Sequence, residues 1–130
     1  MNVLDHLKNK SVDDIKSYCK DTCIDAGVAM MHVNGDFNLS TLVRNANFFG
    51  FKEAMYVGGS KQWDRRGTVG THHYTDLGHI KTEQDFVAYV NDNGYTLIAV
   101  ENNIPKYSNK TVSIFNSFQS LALGTYKVFG

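Results

Sequence analysis

Short apolar runs alternating with segments of helical period constrain this chain more than any other feature. Val28-Ala29-Met30-Met31-His32-Val33 is a continuous apolar run of the kind that forms a strand buried on both faces. From Leu39 the period changes, and Leu42, Val43 and Ala46 follow it as the apolar stripe of a helix that Gly50 closes. A second strand is expected over Glu53 to Val57, leading into Gly58-Gly59-Ser60 and a long polar loop. Thr82 caps a third helix with Phe86, Val87 and Val90 as its apolar face and Gly94 as its end. Tyr95 to Val100 and Thr125 to Phe129 complete the strands. Ahead of them, Ser11 with Asp14 starts a helix carrying Ile15, Tyr18, Cys19 and Thr22, ended by Gly27. Strands and helices alternating in this way predict an α/β fold, a parallel sheet built from βαβ units with flanking helices.

The 130 residues fit one domain, and a lone proline, Pro105, with no biased run argues against long disordered stretches. Lys plus Arg and Asp plus Glu each number 13, so any nucleic-acid affinity must come from a local cluster rather than from overall charge. No stretch of about 18 apolar residues is present to span a membrane. Met1 to His6 lacks the apolar core of a signal peptide, so a cytoplasmic location is expected. Cys19 and Cys23 stand four apart on the first helix without a second ligand pair, which reads as two thiols in a reducing compartment rather than a metal site.

Parallel sheets gather ligands at the carboxyl ends of their strands. Those ends are here Asn34 to Asn38, Gly58 to Tyr74, Glu101 to Asn103, and whatever follows Gly130. Asn38 falls at a strand-to-helix junction, where it either caps the helix or points into the crevice. Arg44 lies in the second turn on a polar side shared with Ser40 and Asn47, either solvated or reaching an anion. The stretch Lys61-Gln62-Trp63-Asp64-Arg65-Arg66-Gly67-Thr68-Val69-Gly70-Thr71-His72-His73-Tyr74 concentrates basic and aromatic side chains. Its cations suit phosphates and its aromatics suit unpaired bases, while the plainer alternative is a solvated loop with Trp63 tucked against the sheet. His72-His73 does not favour a metal, because neighbours on an extended chain point to opposite faces. Glu101-Asn102-Asn103 is either a polar turn or a ligand contact.

The phrase Asp36-Phe37-Asn38-Leu39-Ser40-Thr41-Leu42-Val43-Arg44-Asn45-Ala46-Asn47-Phe48-Phe49-Gly50-Phe51, following the strand Val28 to Val33, resembles the first motif of the SpoU (TrmH-like) branch of the SPOUT methyltransferases. The similarity runs on through Glu53 to Gly58 and resumes in Gly94 to Glu101. The resemblance implies an RNA ribose 2′-O-methyltransferase that uses S-adenosylmethionine, acts on tRNA or rRNA, and in its complete form is a homodimer without a metal. It implies that Asn38 and Arg44 are catalytic, that the loop bearing Lys61, Arg65, Arg66, His72 and His73 faces RNA, and that Glu101 and Asn102 contact the methyl donor. The family's second motif should begin at about Val128-Phe129-Gly130 and its third later, both within the deep knot. The resemblance therefore divides the chain into an N-terminal helical segment, 1–26, and a SPOUT domain lacking its C-terminal knotted segment, 27–130. The chain alone is then expected to bind no donor and to carry no activity, with its final strand left as an unpaired edge. The rival expectations are a non-catalytic RNA-binding module and an interaction fragment that pairs with a full-length homologue through that strand.

Overall fold

A computed structural model describes residues 3–32, 37–60, 62–100, Pro105 and the strand Thr125–Phe129. Helix α1 (Val12–Asp21) opens on a reciprocal cap. The Ser11 hydroxyl accepts from the Asp14 amide at 3.1 Å and the Asp14 carboxylate accepts from the Ser11 amide at 3.3 Å. That carboxyl is held below its usual pKa chiefly by the Ser11 hydrogen bonds.

The helix stops at Thr22, and strand β1 (Ile24–Met31) begins two residues later. This corrects the expected helix end at Gly27 and strand start at Val28. The Ile24 amide donates to the Gly50 carbonyl at 2.8 Å, and β1 pairs Ile24 with Phe51 and Gly27 with Glu53 across a register shift. Tertiary pairing thus claims residues that local pattern assigns to the helix. Of the expected strand, Val33 lies outside the described residues.

Helix α2 (Phe37–Phe48) starts two residues before Leu39, and Gly50 follows it at φ +67°, the left-handed conformation that closes helices. Strand β2 (Phe51–Val57) comes next. The expected long loop then contains two short 3-10 turns, 66–68 and 71–73, and a further strand, β3 (Leu77–Ile80). Helix α3 (Glu83–Asp92) is capped by Thr82, whose hydroxyl accepts from the Asp85 amide at 3.1 Å. Strands β4 (Thr96–Val100) and β5 (Thr125–Phe129) complete the sheet.

Among the described residues all pairings are parallel and the strand order is β3-β2-β1-β5-β4. Strand β5 therefore sits between β1 and β4, paired on both sides. This overturns the expectation of an unpaired final edge: among the described residues the edges are β3 and β4.

Each face of the sheet buries its own cluster. On one, α2 lays Leu39, Leu42 and Ala46 over Val28, Ala54 and Tyr56. On the other, α3 lays Phe86 and Val90 over Ala29 and Val57. Val87, read as part of that apolar face, is 46% exposed. Phe86 and Val90 lie four apart on the buried stripe, and Val87 is rotated about 100° from Phe86. The same face carries Glu53, whose carboxylate accepts hydrogen bonds from the Tyr89 and Tyr95 hydroxyls. Burial, followed by the Glu53 contact, pushes Tyr89 up to about 12 and raises Tyr95 as well.

Candidate functional site

With every strand parallel, one edge of the sheet collects all the carboxyl ends, and α2 leaves from it. The loop that departs from β2 does not stay in solvent. It folds back on α2, with both 3-10 turns packed against that helix. The contact is close because Gly67 has no side chain: a Cβ there would stand 2.7 Å from the Ser40 Cβ. Ser40 is 1% exposed and its hydroxyl donates to the Asp64 carbonyl, so a polar helix position is satisfied by the loop backbone.

Thr68 is the buried centre of this ledge, with 0% exposure. Its hydroxyl donates to the Arg65 carbonyl at 2.8 Å. With that proton committed, the same oxygen accepts from His72 Nδ1 at 2.6 Å, which places the neutral ring's proton on Nδ1. Thr71 adds a bond from its hydroxyl to the Thr68 carbonyl at 2.8 Å. Val69 takes φ +52° and Gly70 φ +88°, so the chain turns sharply between the two 3-10 segments.

The ledge carries the predicted basic residues in different states. Arg65 is exposed and lies over the Trp63 ring at 5.8 Å from its centroid, while Trp63 packs against the cluster beneath α2. Arg66 is exposed but engaged by Asp64: its Nε reaches the carboxylate at 2.9 and 3.0 Å and its amide donates to it at 2.9 Å. The guanidinium holds the Asp64 carboxyl at about 2. His72 and His73 lie with ring centroids 4.1 Å apart at 37°, because they share a 3-10 turn rather than the extended chain expected. Burial, then the charges of His73 and Arg65, holds His72 below the usual histidine pKa. Among the described residues no group of three or more His, Cys, Asp or Glu is arranged to hold a metal ion. Lys61, Glu101 and Asn102 lie outside the described residues.

Asn38 and Arg44 are both exposed on α2. Asn38 is the second residue of the helix, inside its first turn rather than at its cap. Arg44 follows Ser40 by one turn and so lies toward the side the loop covers. The polar side it was expected to share is not a solvated one. Ser40 is buried beneath the loop, and Asn47 hydrogen-bonds Cys19, whose thiol pKa is raised mainly by burial. Asn38, two residues before Ser40, lies about 200° around the helix from it and so away from the side the loop covers, whereas Arg44 lies about 40° from Ser40.

Sequence reading missed a second polar group, at the carboxyl edge of the sheet. His32 at the end of β1 hydrogen-bonds through Nδ1 to the Tyr56 hydroxyl on β2. His79 on β3, directly opposite Tyr56 in the register, donates from Nε2 to the Gly58 carbonyl at 2.9 Å. The three residues come from three strands, so no local spacing announces them; a His or Tyr near each strand's carboxyl end was the only signal available.

No protein-family model matches the chain, and no curated protein sequence does. Solved structures do. The A. aeolicus TrmH/SpoU tRNA modifying enzyme superposes with a TM-score of 0.69 at 16% identity, over 92% of this chain and 59% of that one. The SpoU methyltransferase AviRb from Streptomyces viridochromogenes gives a TM-score of 0.66 at 13% identity, over 91% of this chain and 45% of its own. The chain has the fold of these SpoU structures and spans about half of their lengths. The fold class expected from the sequence, a parallel α/β sheet with flanking helices, stands, and it is the fold of these SpoU structures.

Proposed function

We propose that this chain provides the RNA-facing part of a ribose 2′-O-methyltransferase that uses S-adenosylmethionine and acts on tRNA or rRNA. The observation that supports it most is the docking of the loop 62–74, with Arg65, Trp63 and the paired histidines, on α2, the helix that carries Asn38 and Arg44, in a chain with the fold of SpoU structures. In this reading Arg65 contacts phosphate, and Lys61 and Arg66 join it, Arg66 by exchanging its Asp64 partner. Asn38 and Arg44 hold the target nucleotide. Arg44 stays protonated and serves to position a phosphate and stabilise the developing alkoxide, not to act as a base. Glu101 and Asn102 contact the donor, and the active form is a homodimer.

Incubation of the complete methyltransferase of which this chain is proposed to be a part with RNA transcripts and radiolabelled S-adenosylmethionine, followed by nucleoside analysis, tests the reading; the chain alone is expected to give no product. The expected product is a 2′-O-methylated nucleoside. Arg44→Ala should remove most of it, with the melting temperature nearly unchanged because the side chain is exposed. Turnover unchanged in Arg44→Ala rejects the assignment of that residue, and RNA binding without any methyl transfer favours a non-catalytic RNA-binding module.

A further inference from the structure

We propose that His32 is an RNA-contacting residue, held by Tyr56 over the Gly58-Gly59 turn so that its Nε2 donates to a phosphate oxygen of the bound strand. The proposal rests on the reading that RNA lies along the carboxyl edge, and it adds a contact that the first motif does not contain.

The support beneath the ring is built from two neighbouring strands, β2 and β3. Tyr56 is only 6% exposed and belongs to the cluster under α2, so its hydroxyl is a fixed point. The His79 ring lies 5.6 Å from the Tyr56 ring, and His79 ties β3 to the β2 turn through the Gly58 carbonyl. Gly58 and Gly59 both take positive φ, +81° and +60°. A Cβ on Gly59 would stand 2.2 Å from His32 Nδ1, and one on Gly58 3.2 Å from the His32 Cβ. The imidazole thus occupies space that the turn leaves open by having no side chains.

A histidine serving only as packing would be buried with its support. Here the support is buried and His32 itself is exposed. Where the Tyr56 hydroxyl donates to Nδ1, one of the two arrangements this contact allows, the neutral ring carries its proton on Nε2, and the protonated ring donates from Nε2 in either arrangement. In that first arrangement either form offers a donor of fixed direction to an anion. Among the described residues no carboxylate pairs with His32 to compete for it. Helix α2, starting five residues later, adds the positive end of its dipole to the same edge.

The experiment is titration of the isotope-labelled chain with an RNA hairpin, following the His32 imidazole resonances by NMR, with affinities measured for variants by fluorescence anisotropy. The His32 ring signals should shift on RNA addition, which a packing role does not produce. His32→Ala should weaken binding about ten-fold, the loss of one charge-assisted hydrogen bond. His32→Gln, which keeps a donor, should recover part of it. Gly59→Ala should reproduce the loss without touching the histidine, since it displaces the ring. If His32 signals stay fixed at saturating RNA while Arg65→Ala weakens binding, the proposal is overturned and the RNA-facing edge stands. If the wild-type chain binds no RNA, both fall.

Discussion

Both faces of the sheet bury an apolar cluster, and the difference lies in how the segments laid over them, α3 and the loop 62–74, are held. Beneath α3, Phe86 and Val90 seal Ala29 and Val57 with hydrocarbon, and the polar group nearby, Glu53, is met by two phenols. Over α2, the loop 62–74 is fixed by short polar contacts. The buried Ser40 and Thr68, the Asp64 carbonyl and carboxylate, and the His72 ring do the holding. Apolar burial is non-directional and tolerates small shifts, whereas hydrogen bonds fix direction. The α3 side is suited to holding the sheet together, and the α2 side to presenting side chains in set orientations.

The largest expected effect is on the hydrocarbon side. Phe86→Ala should cost about 3–5 kcal/mol, read as a lower urea midpoint for the whole chain. A loss confined to the loop 62–74 would break the comparison, since it would mean that the two sides are not separately held. Next in size, Thr68→Val keeps the shape but removes both hydroxyl bonds, and should cost about 1–2 kcal/mol. Its signature is faster amide exchange across residues 65–73 than across α3, with RNA affinity reduced. Uniform protection across both regions would show that the hydroxyl is dispensable.

The smallest effect separates the two sides by pH. His72 has a folded pKa below its unfolded value, so the unfolded chain binds the proton more readily. Its contribution is present above the unfolded value of about 6.5 and is lost as pH falls through the folded value. Tyr89 and Tyr95 are shifted upward, so their contribution is present below an unfolded value of about 10 and is lost as pH rises toward the folded values. Mild acid should therefore loosen the loop first, and alkali the α3 side. Amide exchange at the two extremes checks this, and loosening of the same region at both would contradict it.

What was legible in the sequence follows the same division. The strand and helix runs were readable because apolar period is local, and α2, α3 and their glycine stops were found nearly in place. Three things were not. Gly27 signals a helix end by type, yet pairing with Glu53 draws it into a strand. Strand β3 is four residues containing Gly78 and His79, too short and polar to show a period. Gly78 is explained only by its neighbour, since a Cβ there would stand 2.2 Å from the Met55 sulfur. The ledge and the His32–Tyr56–His79 group depend on strand order and on one loop folding over a helix, and neither is written in local spacing. Residue types were thus visible for Asn38, Arg44, Arg65 and the histidine pair, while the engagement of Arg66 by Asp64 and the burial of Ser40 were not.

The central position of β5 also bears on how the molecule is made. As the chain emerges from the ribosome, β3, β2 and β1 can pair early, but one side of β1 must wait for Tyr126 to Phe129, roughly a hundred residues downstream. Strand β4 is synthesised before the partner that joins it to the rest. Until that last strand arrives, the nascent sheet has a gap in its middle rather than at its rim, lined by the apolar stretch Val28-Ala29-Met30. Loops of this length close slowly, so until the strand Thr125–Phe129 has been made that side of β1 stands as an open template for an extended peptide.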